Sequence, residues 1–90
     1  MIFMSAIYNV DDFKKWTKAF SDNEPKRIQA GLTVENIFRD MNNPNRIKVL
    51  MSVESMVAAE EYIELVTASR NPDDPDEISP SEVEFWEVYY

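Results

Sequence analysis

The hydrophobic positions of this chain switch between a period of two and a period near 3.6, and the switches mark its elements. Ile2 to Tyr8 is a short apolar run without a charge, which predicts a strand dry on both faces. Asn9 and the Asp11-Asp12 pair end it, and an aspartate there can cap a helix. Phe13, Trp16, Thr17 and Phe20 then fall on one helical stripe, with Lys14, Lys15 and Lys18 on the other side. Pro25 has no N–H to donate, so the spacing predicts a break over Ser21–Glu24 and a second short helix from Pro25 to Ala30. Gly31 follows at the place where a left-handed residue commonly closes a helix, so its φ is expected to be positive.

Leu32 to Asp40 alternates Leu32, Val34, Asn36 and Phe38 against Thr33, Glu35, Ile37 and Arg39, a strand with one drier face. Asn42-Asn43-Pro44-Asn45 is a turn, and Arg46 to Val53 is the returning strand, with Ile47, Val49, Met51 and Val53 on one side. Ser55 can cap a helix whose buried stripe is Met56, Ala59, Ile63 and Val66. Residues 70–80 hold three prolines and four acids and read as a loop. Ser81 to Tyr90 alternates again and predicts a final strand. The order strand, helix, strand, strand, helix, strand predicts one α+β domain over residues 1–90. Its expected form is a ferredoxin-like βαββαβ unit, with a four-stranded antiparallel sheet and its helices on one face. Apolar residues on both sides of the strands leave the second face in need of a cover, and a second copy of the chain is the expected one.

Composition narrows the chemistry. There is no cysteine and no histidine among the 90 residues, which excludes disulfides, thiolate nucleophiles and the usual ligands of haem and transition metals. A single glycine excludes dinucleotide-binding and phosphate-cradling loops. No metal or cofactor is therefore expected. The net charge of −8 is uneven: residues 1–53 hold eight basic and six acidic side chains, residues 54–90 one and eleven. A net acidic domain repels phosphate backbones, so nucleic acid is not an expected partner. The basic cluster Lys14, Lys15, Lys18, Lys26 and Arg27 reads as a solvated helix face. Asp73, Asp74, Asp76 and Glu77 lack the spacing of a calcium loop. The strand Ile47 to Val53 has no aromatic on which an RNA base could stack. No apolar run is long enough to span a membrane, and a cytoplasmic location is the expectation.

Several stretches carry a resemblance. Asp12-Phe13-Lys14-Lys15-Trp16, Ala19-Phe20, Glu24-Pro25-Lys26-Arg27 and Ala30-Gly31-Leu32 resemble the first half of a small dimeric α/β-barrel protein. Asn43-Pro44-Asn45-Arg46 and Val49 to Glu54 resemble its hairpin and third strand. The superfamily includes antibiotic-biosynthesis monooxygenases, haem-degrading monooxygenases and cyclase-like small proteins. The resemblance implies two ferredoxin-like protomers packed sheet to sheet, with a pocket in each between sheet and helices. The chain departs from it at Asn23, where several relatives have a histidine just ahead of the proline.

The candidate ligand-binding residues are Trp16, Phe20, Asn23, Arg39, Met51 and Trp86. Trp16 and Phe20 read first as core, with aromatic walls for a flat ligand as the functional alternative. Asn23 serves as a cap for the Pro25 helix or as an amide at the mouth of a pocket. Arg39 suits an anionic group, or a salt bridge to a sheet neighbour. Tyr8, Tyr62, Trp86 and Tyr90 need hydrogen-bond partners if buried. The expected function is a non-catalytic module that binds a small hydrophobic molecule or a protein partner. The alternative is a cofactor-free monooxygenase- or cyclase-like enzyme acting on a flat hydrophobic substrate.

Overall fold

In the computed structural model, which describes residues 1–68 and 80–89, the elements are β1 (Ile2–Asn9), α1 (Phe13–Asp22), α2 (Glu24–Gln29), β2 (Leu32–Arg39), β3 (Arg46–Val53), α3 (Met56–Ala68) and β4 (Glu82–Glu87). The strands form one antiparallel sheet in the order β2-β3-β1-β4, the ferredoxin-like arrangement. Trp16, Phe20, Ala59, Tyr62 and Val66 from the helices close on Met4, Ala6, Tyr8, Ile47, Val49 and Met51 from the sheet to make the core. The proposed acidic loop, the carboxylates of residues 73–77 and Tyr90 lie outside the described residues.

Local chemistry sets the boundaries. The Asp12 carboxylate accepts from the backbone N–H groups of Lys14 (2.9 Å) and Lys15 (3.3 Å), capping α1. Ser55 accepts from Ala58 N–H at 3.3 Å and caps α3. Gly31 has φ +77° after α2, as its position predicts. The break between α1 and α2 is shorter than the expected Ser21–Glu24. Only Asn23 separates the two helices, and its carbonyl accepts from Lys26 N–H (3.2 Å) and Arg27 N–H (3.4 Å). Pro25 sits in the first turn of α2, where its missing N–H leaves no bond unmade. The last strand also ends early. Glu87 lies opposite Ile2, the first residue of β1, and past it Val88 N–H donates to the Met1 carbonyl at 3.1 Å.

One irregularity redirects several side chains. The β2–β3 register runs Leu32↔Val53 and Val34↔Met51, then skips to Ile37↔Val49 and Arg39↔Ile47, with a bulge at Glu35. One extra residue reverses the alternation downstream of it. The expected face of Leu32, Val34, Asn36 and Phe38 is therefore split. Ile37 and Arg39 join Leu32 and Val34 on the helix side, and Phe38 moves to the opposite side. On that outer face Phe38 is 47% and Trp86 50% exposed, beside half-buried Phe3 and Leu50.

Candidate functional site

The stripe that begins on α1 continues through the break. Phe13, Trp16, Phe20, Asn23 and Arg27 follow at alternating intervals of three and four, so the two helices present one face to the sheet. The rings stack along it. Phe13 and Trp16 are 5.9 Å apart at 21°, and Trp16 and Phe20 are 4.8 Å apart at 22°. A guanidinium covers each end of the column: Arg39 lies 4.1 Å from the Phe13 centroid and Arg27 lies 3.6 Å from that of Phe20.

The inner end of the column meets a small polar group. Asn23 is buried, and its Nδ2 donates to the Tyr62 hydroxyl at 2.6 Å rather than capping α2. Tyr8 packs edge-on to Phe20 at 6.0 Å. Burial raises the pKa of Tyr8, the neighbouring Tyr62 raises it further, and Arg27 opposes the rise. Burial likewise raises that of Tyr62, against lowering by Arg27 and Asn23. Both phenols therefore stay protonated at neutral pH. Arg27 is only 3% exposed, and its Nε and Nη1 have no hydrogen-bond partner among the described residues. The ion pairs among those residues, Lys18–Asp22 and Arg46–Asp40, leave it out.

Arg27 bounds a cleft of about 450 Å³ between the helix pair and β2. Phe20, Ile28, Leu32, Val34 and Ile37 supply its apolar walls, and Ser21, Thr33 and Glu24 its polar ones. The volume falls within the range of about 300–1,000 Å³ usual for small-molecule sites. Ile37 reaches it only because of the bulge at Glu35.

The expected site residues divide accordingly. Phe20 lines the cleft, but Trp16 and Arg27 occupy its two faces, so a ligand meets its edge rather than stacking on it. Trp16 lies fully buried behind Phe20, with its indole N–H unpaired among the described residues. Asn23 lies inside, tied to Tyr62. Met51 is fully buried core. Arg39 forms no salt bridge among the described residues; its Nε donates to the Pro44 carbonyl at 3.1 Å, at the far end of the column. Trp86 is on the other side of the sheet, donating from Nε1 to Ser5 Oγ at 3.0 Å, because it pairs with Phe3 and alternates with the core-facing Phe85. It takes no part in the cleft.

Arg27 is the residue that the sequence reading misplaced on a solvated face. Its charge suggested water, yet the 13, 16, 20, 23, 27 spacing puts it on the buried stripe. Among the described residues no three acidic side chains gather into a set that could hold a metal ion.

No family model and no curated protein matches the chain. Solved structures do. A "putative antibiotic biosynthesis monooxygenase" from Nitrosomonas europaea superposes with a TM-score of 0.65 at 16% identity, covering 100% of both chains. A protein of the same description from Bordetella bronchiseptica gives 0.66 at 16% identity, over 99% of this chain and 97% of its own. A NIPSNAP domain protein from Burkholderia xenovorans gives 0.56 at 11% identity, over 98% and 94%. At these identities the likeness establishes the ferredoxin-like fold and carries no activity with it.

Proposed function

We propose that this protein binds a small, flat, largely apolar molecule in the cleft between α1, α2 and β2, and does so without catalysis of its own. The observation that carries the reading is the cleft itself, apolar along Phe20, Ile28, Leu32, Val34 and Ile37 and bordered by the buried Arg27. Binding is favoured over catalysis because the two phenols beside Arg27 are held protonated and make poor bases at neutral pH. A second copy is proposed to cover the outer sheet face, where Phe38 and Trp86 stand half exposed.

A thermal-shift screen of two- and three-ring aromatic compounds tests the cleft. Hits are expected on the wild type and are expected to be lost in Val34→Phe, which fills the cleft from β2. If no compound raises the wild-type midpoint, or if hits survive Val34→Phe, the reading fails. The monooxygenase description of the two similar structures favours one second reading, cofactor-free oxygenation of the bound molecule. Oxygen uptake in the presence of a cleft ligand, abolished by Val34→Phe, would establish it over simple binding.

A further inference from the structure

Arg27 presents an electrostatic problem that the described residues leave open. A guanidinium stays ionised at any ordinary pH, so it cannot escape burial by losing its proton. Buried cations are normally matched by a carboxylate, and this one has the face of Phe20 and a hydrogen bond to the neutral Tyr62 hydroxyl instead. Both phenols beside it remain neutral, and the Asn23 side chain directs an N–H to Tyr62. Two of its three nitrogens lack acceptors among the described residues. The one carboxylate lining the cleft, Glu24, is exposed and forms no ion pair with Arg27. The cleft is thus bordered by a nine-tenths-buried guanidinium with two donors unmet among the described residues.

We propose that the molecule bound in this cleft is a planar aromatic monocarboxylate, its ring along the apolar walls and its carboxylate on Arg27. This rests on the cleft being a binding site, as proposed above. A carboxylate is ionised at neutral pH where a phenol is not, and its two oxygens suit guanidinium donors. The charge is a single one. Among the described residues Arg27 is the one cation lining the cleft, Glu24 stands in its wall, and the chain carries −8, so a dianion would bring an unmatched charge into an acidic protein.

The test is calorimetric titration of the full chain with 2-naphthoate and with 2-naphthamide, its neutral counterpart of the same shape. The wild type is expected to prefer the naphthoate by about tenfold or more, the scale of a charge-assisted hydrogen bond. Arg27→Met is expected to bind the two alike. Equal binding to the wild type overturns the carboxylate inference and leaves the cleft standing. A preference that persists in Arg27→Met places anion recognition elsewhere and also overturns it. Failure of both compounds to bind the wild type removes the cleft reading together with this one. Should Arg27→Met fail to fold, Glu24→Gln gives an independent measure. Removing that charge is expected to tighten naphthoate about twofold and leave naphthamide unchanged, and weaker naphthoate binding would refute the proposal.

Discussion

Replacing Arg27 by methionine should stabilise the protein. Arg27 is 3% exposed, and its Nε and Nη1 lack partners among the described residues. Each such group forfeits its bonds to water at a cost of about 1–3 kcal/mol. The Phe20 ring, 3.6 Å from the guanidinium carbon, returns about 2 kcal/mol when both partners are desolvated. Methionine is flexible and unbranched, so it can follow the arginine stem and leave little cavity behind. The balance favours Arg27→Met by about 2 kcal/mol, in line with other replacements of buried ions by apolar side chains. For a domain of this size each kcal/mol moves the midpoint by about 4–8 °C. The assay is thermal unfolding followed by far-ultraviolet circular dichroism, with Arg27→Ala as the control. Alanine removes the charge but also the packing of the stem, so it should not share the gain. A midpoint for Arg27→Met below that of the wild type would show that the guanidinium is compensated, and the case for an unmet cation would fall.

Gly31→Ala should lower stability by about 1–2 kcal/mol, because φ is +77° and the new Cβ would meet Glu54 Cβ and Oε2 at 3.1 Å; an unchanged denaturation midpoint would contradict the geometry. Tyr62→Phe should cost about 1–3 kcal/mol by stranding the Asn23 amide, and a double-mutant cycle with Asn23→Ala should show coupling between the two. The folded-state pKa of Tyr8 is raised above its ordinary 10.0, so its contribution to stability is complete below that pH and is lost as pH rises through the folded-state value. Urea midpoints measured in alkaline buffers should therefore fall with rising pH less steeply in Tyr8→Phe than in the wild type. Trp86→Glu should yield monomers by analytical ultracentrifugation if the outer sheet face is the contact between copies. A wild type that sediments as a monomer at micromolar concentration would dispose of that contact.

Much of the fold was legible because it follows from local chemistry. A carboxylate at position 12, a hydroxyl at 55, a proline at 25 and the one glycine at 31 each act on the backbone within a few residues, and the elements begin and end where they direct. Alternation in β1 and β3 likewise survives folding unchanged. Alternation in β2 does not, because nothing in Glu35 or its neighbours marks the extra residue. The bulge exists where β2 must keep Leu32 and Val34 on the core and still turn Ile37 inward against Val49, a demand set by the partner strand.

The candidate site shows the same division more sharply. Its aromatic column was written into the spacing of Phe13, Trp16 and Phe20, and that spacing extends to Asn23 and Arg27. What spacing alone could not settle was whether a charge on the stripe would be carried out to water or drawn beneath the helix. Arginine can do either, since its long stem reaches solvent from many buried backbones. Only the assembled structure decided it, by packing α2 so that the guanidinium lies against the Phe20 ring of α1, beside the cleft to β2. Burial is a property of the surfaces that meet, and those surfaces come from residues far apart in the chain.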